Sequence, residues 1–106
     1  MTDKIVVLTT CESEDEAERI ERCLLEKRVA ACVNILPKAR SIYRWKGAVA
    51  DTQEFVLLIK TRRDVFEALR AELSKTHSYE VPEVVALPVV DGSESYLGWI
   101  DRELAS

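Results

Sequence analysis

Hydrophobic residues follow two rhythms along the chain, one of about two residues and one of about 3.6, and their order lays out the elements. Ile5-Val6-Val7-Leu8 is a short apolar run rich in β-branched residues and predicts a buried strand. Ser13, followed three residues later by Glu16, fits a capping box, and Glu14 and Asp15 suit a helix N-terminus. Ala17, Ile20 and Leu24 then recur at helical spacing, which carries a first helix to about Lys27 or Arg28. A second strand begins near Val29. Pro37 interrupts it and marks a bulge, a bend or an edge position. Beyond Pro37 the residues alternate: Ser41, Tyr43 and Trp45 share one face, and Ile42 and Arg44 the other. Lys46-Gly47 supplies a turn, and a third strand returns through Glu54 into Phe55-Val56-Leu57-Leu58-Ile59, apolar on both faces and so central.

Thr61, with Asp64 three residues on, predicts the cap of a second helix whose buried stripe is Phe66, Leu69 and Leu73. His77 to Glu83 reads as a loop, because Pro82 disfavours helix before it. Val84 to Val90 is the last main strand, with Pro88 pointing to an edge or a bulge. Asp91-Gly92 makes a turn, and Ser93 opens a final helix carrying Tyr96, Leu97, Trp99 and Ile100.

The order β-α-β-β-α-β plus a C-terminal helix predicts an α+β fold of ferredoxin-like type, an antiparallel sheet with two helices on one face. Such a fold does not choose a function. Its middle hairpin is unusually long. Ala30 to Trp45 is 16 residues, or about 50 Å of strand at roughly 3.3 Å per residue. A compact chain of this size has a radius of gyration of about 13 Å and is only about 35 Å across. The hairpin must bend or leave the domain, and a lone two-stranded ribbon is marginal in water. Ile42, Tyr43 and Trp45 on it should pack on something, and another copy of the chain is the economical candidate.

With 106 residues the chain fits one domain, residues 1–106. A net charge of −4 argues against a nucleic-acid binder, which would show a basic face. Cys11, Cys23 and Cys32 are odd in number and form no C-x-x-C, and no signal peptide is visible. No apolar stretch approaches the ~20 residues that span a bilayer. The expectation is a reduced, cytoplasmic protein with free thiols and no membrane partner.

Much chemistry is missing. The first glycine is Gly47, so no phosphate loop or dinucleotide fingerprint follows strand one. Strand one has no aromatic residue and strand three only Phe55, which disfavours base stacking. Gly92-Ser93-Glu94-Ser95-Tyr96 lacks the last glycine of a nucleophile elbow, and His77 is the single histidine. An enzyme is therefore not expected. Glu12, Glu14, Asp15 and Glu16 read as a solvated, capped helix start. His77 reads, from spacing alone, as a loop residue that hydrogen-bonds locally, and each cysteine as a small core residue.

Five clusters resemble the CutA divalent-cation tolerance family: Ala30-Ala31-Cys32-Val33-Asn34; Ser41-Ile42-Tyr43 with Trp45 and Gly47; Glu54 with Ile59-Lys60-Thr61; His77 with Tyr79, Pro82 and Glu83; and Tyr96-Leu97 with Trp99. They span nearly the whole chain in order. The resemblance implies a homotrimer in which the long hairpins pair across subunits, an architecture similar to the nitrogen-regulatory PII proteins, and no catalytic reaction. No cofactor is required by it; copper or another divalent ion is the metal it implies. Some members are proposed to bind copper through a cysteine late in strand one and two adjacent histidines. Here those positions hold Thr9 and Thr76, while His77 remains and Cys11 stands two residues after Thr9. His77 and Cys11 are thus the candidate metal ligands. Tyr43, Trp45, Glu54, Lys60, Tyr79 and Glu83 are the candidate residues of an intersubunit interface or cleft. The alternative to metal binding is a PII-like signalling or scaffold module that takes a small metabolite or a partner protein in that cleft.

Overall fold

The computed structural model describes residues 1–105. Its elements run β1 (Lys4–Cys11), α1 (Glu14–Glu26), β2 (Cys32–Trp45), β3 (Ala48–Arg62), a 3-10 turn (Arg63–Val65), α2 (Phe66–Thr76), β4 (Val85–Pro88) and α3 (Glu94–Glu103). The strands form one antiparallel sheet in the order β2-β3-β1-β4, which places the apolar β3 run centrally as expected. β4 lies at an edge, where Pro88 loses nothing by lacking an N–H.

The pleat sends alternate residues to opposite faces, and the two faces differ. Ile5, Val7, Cys11, Leu57 and Ile59 point to the helix side and form one buried cluster with Ala17, Ile20 and Leu24 of α1 and Leu69 and Leu73 of α2. A smaller cluster, Ala31 with Ile100 and Leu104, seats α3. Arg28 secures this end. Its backbone takes the left-handed conformation that stops α1, and its guanidinium donates to the Arg102 and Glu103 carbonyls at the end of α3. The opposite face of the sheet carries cross-strand rows Asn34-Leu58-Leu8-Val85 and Leu36-Val56-Thr10, which the pairing register aligns. α1 and α2 lie on the other side, and α3 reaches this face at its Lys4–Arg62 end, where Asp101 pairs with both side chains; Leu36, Val85 and Leu87 are 44–47% exposed.

The hairpin both bends and leaves the sheet. At Pro37 and Lys38 two residues of β2 oppose one of β3, and Lys38 has a positive φ of 62°, a bulge at the expected proline. β1 pairs with β3 only from Phe55 to Arg62. Ala39–Trp45 therefore pairs with Ala48–Glu54 as a two-stranded ribbon, and the molecule is 44 Å along its longest axis but 26 and 22 Å across.

Three expectations need correction. Thr61 does not cap the second helix. It is a buried residue of β3, and its hydroxyl donates to the Val29 carbonyl at 2.8 Å. The strand runs on to Arg62, and α2 starts after the 3-10 turn with no side-chain cap. The last strand is four residues rather than seven, although beyond it the Val89 N–H still donates to the Lys4 carbonyl and the Val89 carbonyl accepts from the Thr2 N–H. Glu16 is not solvated. Ser13 Oγ does accept from the Glu16 N–H at 3.2 Å, but the carboxylate is 3% exposed and turns to the loop after α2 instead of back to the cap.

Candidate functional site

The loop after α2 is tied down residue by residue. His77 ends the helix, with its N–H donating to the Leu73 carbonyl at 2.9 Å. Its imidazole is 1% exposed. Nε2 lies 2.6 Å from the Thr10 carbonyl oxygen, which can only accept, so Nε2 carries the proton. Nδ1 then accepts from the Tyr79 N–H at 3.1 Å. Glu16 Oε2 accepts from the Ser78 N–H at 2.7 Å. Burial alone would raise the Glu16 carboxyl, but the Ser78 donors hold it below the usual carboxylate value.

These ties aim Tyr79 at the hairpin. Its hydroxyl donates to Glu54 Oε2 at 2.6 Å, across 25 residues of sequence. Burial, then the Glu54 carboxylate, pushes the phenol far above its ordinary value, so it remains a donor at any physiological pH. The loop and the distal hairpin bound a cleft of about 700 Å³ whose walls include Tyr43, Trp45, Glu54, Tyr79, Glu80 and Glu83. Five of the six residues expected at an interface or cleft thus meet in one place. Lys60 does not join them. It lies on the face of the sheet opposite α1 and α2, where it bonds Asn34 Oδ1 and stands in register with Val6 and Cys32. Ser78, Glu80 and Thr10 also line the cleft and were missed by sequence reasoning. Only the three-dimensional return of the loop to the end of β1 brings them there.

The residues expected to hold copper are arranged differently. Both ring nitrogens of His77 are already engaged. Cys11 falls inside β1, fully buried, with Sγ 3.6 Å from the Ser13 carbonyl. Burial and the Glu16 charge push its thiol up to about 11, so the thiolate that binds metal is suppressed. Among the described residues no three His, Cys, Asp or Glu side chains converge. In this arrangement His77 and Cys11 do not fit a copper ion.

A four-stranded sheet backed by two helices, a ribbon that outruns it and a cleft under that ribbon define a ferredoxin-like protein of the long-hairpin type. The family model described as CutA1 divalent ion tolerance protein matches residues 5–103. The chain is 48% identical over 95 residues to the divalent-cation tolerance protein CutA of Thermus thermophilus, covering 90% of this chain and 92% of that one. It is 45% identical over 91 residues to human protein CutA, covering 86% of this chain but only 51% of the human one. Solved structures agree. The Thermus thermophilus protein superposes with a TM-score of 0.93 at 45% identity, covering 96% of this chain and 99% of that one. CutA from Xylella fastidiosa gives 0.95 at 41%, covering 98% of this chain and all of that one. The chain belongs to the CutA1 divalent ion tolerance family. Relatives include one described as chloroplastic and one as periplasmic, and no helix among the described residues is long and apolar enough to cross a membrane.

Proposed function

We propose that the protein acts as a homotrimer in divalent-cation tolerance without catalysing a reaction, and that its working site is the cleft, which binds a small molecule. The observation that carries this reading is the apolar sheet face opposite α1 and α2, on which Leu36, Val85 and Leu87 stay exposed, together with a ribbon that extends past its own sheet. Leu36, Val85 and Leu87 on that face would be covered by neighbouring copies, and the unpaired ribbon edges would find partner strands there. The number three follows from the family resemblance. The three cysteines are free, which suits a reducing cytoplasm.

The small-molecule reading is favoured over copper on His77 and Cys11 because both of those residues are already satisfied within the chain. Native mass spectrometry of tag-free protein with limiting copper under reducing conditions tests it. The expected spectrum is a trimer without stoichiometric copper, unchanged by His77→Ala. Three retained ions that disappear in His77→Ala would restore the metal site.

A further inference from the structure

Glu54 is the least explained charge in the molecule. It is 5% exposed, and Tyr79 donates to its Oε2. Among the described residues no hydrogen bond reaches Oε1, and no lysine, arginine or histidine pairs with the carboxylate. A buried carboxylate without a counter-charge is costly. This one lines the cleft. The walls around it add the rings of Tyr43, Trp45 and Tyr79 and the carboxylates of Glu80 and Glu83, and none of the lining residues is basic. At the mouth, Lys46 Nζ stands 3.5 Å from Glu80 Oε2 and 5.6 Å from the centre of the Trp45 ring. The chain's own ammonium thus already sits between an aromatic face and a carboxylate at this site.

We propose that the cleft binds a small organic cation, an amine or guanidine, with one charged head against Glu54 and its carbon skeleton along Tyr43 and Trp45. The inference rests on the small-molecule reading of the cleft and names the class of ligand. Lys46 acts as a tethered competitor at the mouth. An anion would meet three carboxylates and no basic side chain of the lining. A neutral molecule would leave Glu54 without a counter-charge. A metal ion needs several ligands on one point, and the acidic side chains do not converge so. Carboxylates spread along an aromatic wall suit a cation whose charges are separated by methylenes, and a second head would reach Glu80 or Glu83.

Isothermal titration calorimetry on the full chain at low salt provides the test, with 1,4-diaminobutane as probe and 1,4-butanediol and succinate as neutral and anionic partners of the same skeleton. The diamine should bind once per chain, and the diol and the diacid should not. Glu54→Gln should weaken the diamine about tenfold or more, the order of one charge-assisted contact. Lys46→Ala, at an exposed turn, should tighten it about threefold by vacating Trp45 and Glu80. Should Glu54→Gln fail to fold, Glu83→Gln and Lys46→Ala still report, the first with a smaller loss. Binding of succinate or the diol in place of the diamine overturns the cation class and leaves a small-molecule cleft. Diamine binding indifferent to Glu54→Gln and Lys46→Ala overturns the site. Displacement of the diamine by one equivalent of Cu²⁺ makes the ligand an inorganic ion and overturns the organic class. No binding by any of the three overturns both readings, as it would if a basic side chain of a neighbouring copy filled the place at Glu54.

Discussion

The two faces of the sheet are made from the same strands, often from adjacent residues, and they meet opposite fates. Leu57 and Ile59 are fully buried beneath α1 and α2, while Leu58 between them points to the opposite face, which only α3 reaches, at its Lys4–Arg62 end. The helix face is complete within one chain, because α1 and α2 bring Ile20, Leu24, Leu69 and Leu73 to it. The other face is as apolar in its centre but ends in half-exposed Leu36, Val85 and Leu87. One face therefore stabilises the subunit, and the other is the one proposed to stabilise an assembly. The ribbon follows the same division. Its base is held by β1, and its distal half beyond Glu54 has no third strand of its own chain.

The comparison is broken most severely by a charge on the bare face. Leu58→Asp should convert the proposed trimer to monomer at micromolar concentration, read by size exclusion with light scattering, and should abolish the dependence of the melting temperature on protein concentration that a trimer shows. Ile59→Ala, one residue away on the covered face, should cost about 2–5 kcal/mol in denaturant unfolding. Its oligomeric state should be unchanged, so the pair of variants separates the two faces.

Acid sharpens the comparison from the side of the loop. Glu16 has a folded-state pKa below its ordinary value near 4.5, and Asp101 is likewise held low, first by the Arg62 hydrogen bond and then by Lys4. Their stabilisation is complete above the unfolded carboxylate range and is lost as pH falls through the folded values. Urea midpoints should thus be flat from pH 7 to about 5 and fall below about 4.5, and Glu16→Gln should flatten that fall. The smallest change expected is on the covered face itself. Thr9 is fully buried, and its hydroxyl has no hydrogen-bond partner among the described residues. Thr9→Val keeps the shape and removes that cost, so it should raise stability by about 1 kcal/mol, measured by the same urea titration.

Much of this was legible in the sequence where local pattern and tertiary role agree. Alternation after Pro37 gave the ribbon, the apolar run at Phe55–Ile59 gave the central strand, and chain length against domain size required the ribbon to protrude. The misreadings came where a local signal was overruled by distant partners. Thr61 with Asp64 has the spacing of a cap, yet the hydroxyl is claimed by Val29 and the backbone by β1. Glu16 has the spacing of a capping-box acid, yet Ser78, 62 residues away, takes its carboxylate. The cleft residues were recognised by their cluster resemblance. What joins them, Tyr79 on Glu54 and His77 on Thr10, is long-range and leaves no periodic trace.

The exposed apolar sheet face is proposed to belong to an assembly of three chains. Sedimentation equilibrium of the tag-free protein over a hundredfold dilution tests it most directly. The expected result is the mass of three chains throughout, with Leu58→Asp sedimenting as one. A wild-type chain that sediments as a stable monomer at every concentration would contradict it, because the apolar face and the ribbon would then stand in water with nothing to cover them.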